Sequence, residues 1–299
     1  MRSLLEVTDL SPDDVVNVLG LAERPVSALG RPLEGQGVAL IFEKPSTRTR
    51  HSMEIAVVQL GGHPIYTRGD EVGFDTRESV EDIARIMAGY HSVIAARVFE
   101  HSVVERLRAS SSVLIVNMLS DRAHPLQGLT DVLTMQQCLG DLAGKTVAYV
   151  GDYNNVARSL AEASAMLGMH VRFGCPPGFE PDGAELERIT MLGAASVELA
   201  HRPHDAVKGA HAVHTDTWVS MGQEHEKQSR RQAFEGFTVD DSMMAAADPS
   251  AVFMHCLPAY RGVEVTASVI DGPQSVVFQQ GHNRLHAARA ALALLLEGT

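Results

Sequence analysis

The pentapeptide Ser46-Thr47-Arg48-Thr49-Arg50 packs hydroxyls and guanidiniums into adjacent positions. The apolar residues 38–42 before it read as a buried strand that stops at Lys44-Pro45. An amphipathic pattern (Met53, Ile55, Ala56, Leu60) follows and ends at Gly61-Gly62. The pentapeptide therefore opens a helix, where free backbone N–H groups and the positive end of the dipole suit a phosphate. Hydroxyls and guanidiniums add donors and charge for an oxyanion. The same residues also fit an ordinary Ser/Thr helix cap followed by surface arginines.

Other segments carry chemistry of their own. Arg97 closes the apolar residues 92–96, and the carboxyl end of a strand is where open α/β sheets place ligands. In His124-Pro125-Leu126-Gln127, His and Gln are neutral donors that can aim at a carbonyl oxygen without adding full charge. Residues 149–160 spell a strand, a Gly turn and a helix start, but Asn154-Asn155 replaces the spaced glycines of a dinucleotide fingerprint. In Asp216-Thr217-Trp218-Val219-Ser220-Met221-Gly222, Asp216 can meet a cationic amine, while Ser220 and the local backbone can hold a carboxylate. Cys256, in His255-Cys256-Leu257-Pro258, is by default a small buried hydrophobe. His201, His204, His211 and His214 raise a metal-binding module, but their spacing crosses a predicted helix and strand, which favours ordinary surface histidines.

The spelling and order of these segments resemble the aspartate/ornithine carbamoyltransferase family over essentially the whole chain. The matching motifs are Ser-Thr-Arg-Thr-Arg, the second arginine Arg97, His-Pro-x-Gln, Gly-Asp-x-Asn-Asn, Asp-x-x-x-Ser-Met-Gly, His-Cys-Leu-Pro and Asn283-Arg284-Leu285-His286. The resemblance implies a carbamoyl-phosphate site in which Ser46, Thr47, Arg48 and Thr49 grip the phosphate. It also implies that Thr49, Arg97 and His124 take up negative charge on the carbamoyl oxygen, with Gln127 on the carbamoyl NH2. Arg284 would close over the donor, and Cys256 and the Leu257 carbonyl would complete the corner. On the acceptor side it implies the ornithine branch, through Asn155, Asp216, Ser220 and Met221, with Asp216 and Cys256 beside the side-chain amine. The expected reaction is carbamoyl phosphate plus L-ornithine giving L-citrulline and phosphate, by direct attack through a tetrahedral intermediate, without metal or organic cofactor. A homotrimer with shared sites is implied too, Glu71 reaching a neighbouring subunit's carbamoyl phosphate. Alternatives are an enzyme acting on putrescine or an acylated ornithine, and a non-catalytic homologue. Two departures stand out: Glu71 where the family has a neutral Gln, and Gln279-Gln280-Gly281-His282 where it has an acid-rich approach.

The elements that must position these residues alternate, as in βαβ units with parallel sheets. Ser11-Pro12-Asp13-Asp14 predicts a capped helix through Leu21. Predicted strands are residues 38–42, 93–96, 113–117, 146–150, 171–173, 197–199, 212–214, 252–254 and 275–278. Predicted helices include residues 79–89, 130–139, 156–167, 184–192 and 285–296, while the Gln/Glu/Lys-rich residues 221–229 read as a structure-poor lid. The fold class is α/β: two domains, each a parallel sheet flanked by helices, joined by bridging helices. A carbamoyl-phosphate domain spans 1–132, with the terminal helix 283–299 docking back on it, and an ornithine domain spans 133–282.

The 299-residue length suits two such domains, and 45% hydrophobic with 21% charged residues is ordinary globular composition. No apolar run reaches the roughly 18 residues of a membrane span, and the first residues lack a signal-peptide apolar region. Three cysteines form no disulfide or metal framework, so a cytoplasmic location is expected. A net charge of −12 argues against nucleic acid or anionic membrane as partner, so an anionic substrate needs a local cationic pocket.

Overall fold

The computed structural model describes residues 3–219 and 226–297. The chain forms two compact units, Met1–Thr130 with His282–Thr299, and Asp131–Gly281. Each is built on one parallel sheet. In the first unit β1 (Gly37–Phe42), β2 (His63–Arg68), β3 (Val93–Arg97) and β4 (Leu114–Leu119) stand in the order β2-β1-β3-β4. In the second, β5 (Thr146–Val150), β6 (His170–Gly174), β7 (Ser196–Ala200), β8 (Ala212–Thr215) and β9 (Val252–His255) stand in the order β7-β6-β5-β8-β9. Helices Pro125–Leu139 and Val277–Leu296 each run from the residues of one unit into those of the other.

Central parallel strands are covered on both faces, which is why β1, β3 and β5 read as continuous apolar runs rather than alternating ones. Ile41, Ile94, Ala96 and Ile115 pack with Ile83, Val104 and Leu107 in the first unit. Ala148, Val213 and Phe253 pack with Phe234, Met243 and Ile270 in the second. Each fully buried Ile or Phe contributes about 1.5–3 kcal/mol, so an Ile41→Ala or Phe253→Ala change costs about 2–5 kcal/mol once its cavity is counted.

Several expectations needed correction. Residues 275–278 are not a strand: Ser275 makes only an isolated bridge to Phe253, and Val277 already begins the long helix Val277–Leu296. Strand β2 was absent from the sequence reading, since Pro64 interrupts it and it lies at the sheet edge, where a missing N–H is tolerated. Helix His101–Ser110 was also missed, and the helix expected at 130–139 starts earlier, at Pro125. Within the supposed lid, residues 227–229 open the helix Lys227–Ala233; residues 221–225 lie outside the described residues. The Ser11 cap formed as expected, with Asp14 N–H donating to Ser11 Oγ at 3.1 Å and Ser11 N–H to Asp14 Oδ2 at 2.9 Å.

The strand orders locate the ends at which open parallel sheets generally take ligands. In the first sheet the chain leaves β1 for β2 on one side, while β3 and β4 lie on the other. In the second it leaves β5 for β6 and β7, while β8 and β9 lie opposite. Each reversal opens a crevice at the strands' carboxyl ends, between β1 and β3 in one unit and between β5 and β8 in the other.

Candidate active site

At the β1/β3 crevice the first unit assembles a cationic cluster on one hydroxyl. Ser46 caps the helix Thr47–Gln59, its Oγ accepting the Thr49 N–H at 3.3 Å and donating to Thr49 Oγ1 at 3.0 Å. Thr49 is buried, and Arg284 Nη2 donates to its Oγ1 at 2.6 Å while Arg97 Nη1 approaches it at 3.4 Å. The other arm of the Arg284 guanidinium donates to Gln127 Oε1 at 2.8 Å. Thus Ser46, Thr49, Arg97, Gln127 and Arg284, expected from distant parts of the sequence, meet in one place. Thr47 and Arg48 lie in the first turn of the same helix. Arg50 does not contribute: its Nε donates to Glu54 at 2.8 Å, and its guanidinium lies 3.7 Å over the Tyr66 ring.

Arg97 ends β3 beside Phe42 of β1, and its carbonyl accepts the Glu43 N–H at 2.9 Å, fixing the start of the Ser46 loop. The chain after β2 also passes close by. A Cβ at Gly69 would meet Glu43 Cα at 2.7 Å, so only glycine fits. His124 is buried at the N-terminal edge of helix Pro125–Leu139. Burial, then the charges of Arg284 and Arg97, push its imidazole well below the ordinary histidine range. It is therefore neutral at physiological pH and can offer one N–H to a carbonyl oxygen without adding charge.

At the β5/β8 crevice the second unit gathers a different set. Asp216 follows β8 and is buried, and the Cys256 thiol, following β9, donates to its Oδ1 at 3.2 Å. Asn154 Nδ2 donates to Asp216 Oδ2 at 3.0 Å. Asn155 begins the helix Asn155–Met166, for which Asn154 is the cap. Gly151 lets the chain turn sharply out of β5, at φ +139°, a conformation rarely open to other residues. Asp152 pairs with Arg230 at 2.6 Å; burial nevertheless raises its carboxyl above the ordinary range. Leu257 has φ 57° and precedes a cis Leu257–Pro258 bond, so its backbone turns directly after Cys256. His255 Nδ1 accepts the Leu257 N–H at 2.9 Å, and its Nε2 faces Glu264 Oε1 at 3.2 Å.

Asp216, His255 and Cys256 bring potential ligand atoms within 4.8 Å of one another. Both imidazole nitrogens and the thiol are engaged within the protein, so the group works as a hydrogen-bonded brace. The four histidines read as surface residues are not all of that kind: His214 is fully buried and stacked on Tyr149, with ring centroids 5.7 Å apart. The others bond separately, His201 to the Cys175 carbonyl, His204 to Ser242 and His211 to the Thr146 N–H.

Ser220 and Met221, expected to hold the acceptor, lie outside the described residues. Glu71 is exposed in the short helix Gly69–Val72, where its Oε2 accepts the Arg68 N–H at 3.1 Å. Arg68 is drawn to Asp70 at 2.9 Å, and Arg77 donates to the Glu71 carbonyl at 3.2 Å rather than to its carboxylate. Of the Gln279–His282 departure, Gln280 is buried: it donates to Asp131 at 2.7 Å and accepts the His255 N–H at 2.9 Å. Sequence reasoning missed Asn154. A cap-forming Asn between a predicted strand and helix was the available signal.

Comparison with known proteins agrees with a donor half and an acceptor half. The sequence pattern of the aspartate/ornithine carbamoyltransferase carbamoyl-P binding domain matches residues 2–137, and that of the Asp/Orn binding domain matches residues 143–295. The chain is similar to the ornithine carbamoyltransferase of Thermus thermophilus, 45% identical over 298 residues that cover 99% of this chain and 97% of that one. Among solved structures, ornithine carbamoyltransferase from Pyrococcus furiosus superposes with a TM-score of 0.94 at 42% identity, covering 100% of this chain and 98% of that one. The Thermus thermophilus enzyme gives 0.90 at 43%, covering 99% of each chain. With the motif residues gathered at both crevices, these matches make the chain a member of the aspartate/ornithine carbamoyltransferase family.

Proposed function

We propose that the protein transfers the carbamoyl group of carbamoyl phosphate to the δ-amine of L-ornithine, giving L-citrulline and phosphate. The observation that carries the choice of acceptor is the buried Asp216 carboxylate, braced by Asn154 and Cys256 at the β5/β8 crevice. An anionic receptor suits a substrate whose distal end is an amine, and repels one whose distal end is a carboxylate.

The chemistry follows from the two sets of side chains. Carbamoyl phosphate carries its own leaving group, so the protein has to position, polarise and absorb charge. Ser46, Thr47, Arg48 and Thr49 hold the phosphate at the helix N-terminus. Thr49, Arg97 and neutral His124 donate to the carbamoyl oxygen as it gains negative charge, Gln127 takes the NH2, and Arg284 covers the donor. The Leu257 carbonyl adds an acceptor at the Cys256 turn. Asp216 and Cys256 orient the δ-amine, with Asn155, Ser220 and Met221 on the amino-acid end. The δ-ammonium gives one proton to water, the freed lone pair forms the C–N bond, and the tetrahedral intermediate breaks its C–O bond, the second amine proton leaving with the phosphate. Cys256 positions and forms no bond to carbon, and no metal or organic cofactor enters.

We further propose a homotrimer in which the exposed segment around Glu71 serves a neighbouring site, and a reducing, cytoplasmic location that keeps Cys256 as the thiol Asp216 requires. The resemblance supports the trimer; light scattering on the purified protein tests it. Among the described residues no helix is long and apolar enough to cross a membrane. The test of function is an acceptor panel with carbamoyl phosphate: ornithine, putrescine, aspartate and N-acetylornithine, with the carbamoylated product identified. Ornithine is expected to give the highest kcat/KM by a wide margin. A higher value for any other acceptor overturns the assignment.

A further inference from the structure

The Asn154 side chain is held from one end and spent at the other. Its Oδ1 accepts the Val156 N–H at 2.9 Å, the Ala157 N–H at 3.0 Å and the Tyr149 hydroxyl at 3.4 Å. Tyr149 is itself immobilised, almost wholly buried on β5 and stacked on His214. Three donors converging on one amide atom identify that atom as oxygen, so the opposite amide can present only N–H groups. Those N–H groups meet Asp216 Oδ2 at 3.0 Å. Since the Cys256 thiol takes Oδ1, each carboxylate oxygen has one donor among the described residues and keeps lone-pair capacity for another.

We propose that Asn154 is a positioning residue of the acceptor site, fixing the Asp216 carboxylate so that its remaining lone pairs meet the substrate amine. This rests on the carbamoyl-transfer reading above. It gives Asn154 a role distinct from that implied for Asn155, and one beyond capping a helix. The geometry makes the two roles separable. Serine and aspartate are both good helix caps, so Asn154→Ser and Asn154→Asp preserve the Val156 and Ala157 contacts. A serine hydroxyl is too short to reach Asp216 while capping. An aspartate reaches it with a like charge and no proton to donate.

The experiment measures both variants beside wild type for kcat and KM toward each substrate, with a thermal melt of each protein. Asn154→Ser is expected to lower kcat/KM for ornithine about 10-fold or more, the scale of one charge-assisted hydrogen bond, with the KM for carbamoyl phosphate within about twofold of wild type. Asn154→Asp should lose more, because it replaces attraction with repulsion. Both should melt within about 3 °C of wild type, since the cap survives. A pure capping role predicts two silent variants. Values within about twofold of wild type for ornithine in both overturn the proposal. So does an equal loss toward both substrates accompanied by a lowered melting midpoint. A wild-type protein that makes no citrulline overturns this role and the functional reading together. Citrulline made equally well by wild type and Asn154→Ser overturns the role of Asn154 alone.

Discussion

Replacing Thr49 by Val keeps the shape of the side chain and removes the oxygen on which Ser46, Arg97 and Arg284 converge. Arg97 and Arg284 are only 6% and 8% exposed, so solvent screens their contacts weakly and the charge-assisted range of about 1.5–3 kcal/mol applies. The Arg97 contact, at 3.4 Å, is too long to count in full, whereas the Arg284 contact at 2.6 Å counts entirely. Allowing one strong bond, and the lost Thr49 hydroxyl that would donate to the carbamoyl oxygen, gives about 2 kcal/mol, or roughly 30-fold in kcat/KM for carbamoyl phosphate. The two guanidiniums also lose a buried acceptor, which should cost about 1–3 kcal/mol of stability in the first unit. The assay is initial-rate citrulline formation with carbamoyl phosphate varied at saturating ornithine, alongside a melt with and without carbamoyl phosphate, whose stabilisation reports binding directly. Thr49→Ser, which keeps the oxygen, should remain within about fivefold of wild type. A Thr49→Val enzyme within about threefold of wild type would refute the reasoning, because Thr49 would then be a bystander to Arg284.

Other predictions follow from single contacts. Arg48→Lys should lower kcat/KM for carbamoyl phosphate by at least about 10-fold, because lysine cannot reproduce a planar, two-pronged grip on phosphate; unchanged kinetics would remove the Ser46–Thr49 loop from the donor site. Cys256→Ser should keep measurable turnover, since serine can still donate to Asp216; trapping a carbamoyl-cysteine on the reaction path would contradict direct attack. Glu185 should confer acid sensitivity: burial raises its carboxyl, but Arg188, the Tyr153 hydroxyl and Arg158 outweigh that and hold it at about 2. A depressed carboxyl gives stability that is full above its unfolded value of about 4.5 and lost as pH falls toward 2. Glu185→Gln should therefore melt lower than wild type at pH 7, with the gap closing on acidification toward pH 3; a constant gap refutes the assignment.

How much of this was legible in the sequence depends on how local each feature is. β1, β3, β5 and the caps at Ser11 and Ser46 are written in contiguous residues, as buried strands and helix starts always are. β2 was hidden because an edge strand needs neither an unbroken apolar run nor every N–H, so Pro64 hid it. Residues 275–278 misled in the opposite direction, because Val276, Val277 and Phe278 look like a strand to any local rule, while the helix they enter is specified by residues further on. The positions of Arg97, Gln127 and Arg284 could be named from the motifs, but their convergence on Thr49 could not. It depends on strand order and on a helix packed from the far end of the chain. Asn154 was the least legible, since an asparagine that caps a helix and one that also orients a carboxylate are spelled alike.

The helix Val277–Leu296 carries a temporal consequence as well as a spatial one. It gives Arg284 to Thr49 and Gln127, and Arg289 to Gln59 at 2.8 Å and to the Ala22 carbonyl at 3.4 Å, while Ala287, Ala291, Leu292 and Leu295 are buried. A chain emerging from the ribosome N-terminus first makes β1 to β4 long before it makes this helix. Residues 131–281 form a unit that is continuous in sequence, so they can close on their own core as they appear. The first unit, begun earlier, must wait with an apolar face uncovered until residues 282–297 arrive. The cationic cluster on Thr49 is thus completed only after the whole second unit has been translated. A nascent chain stalled short of Arg284 would present the Ser46 loop without the guanidinium that covers it.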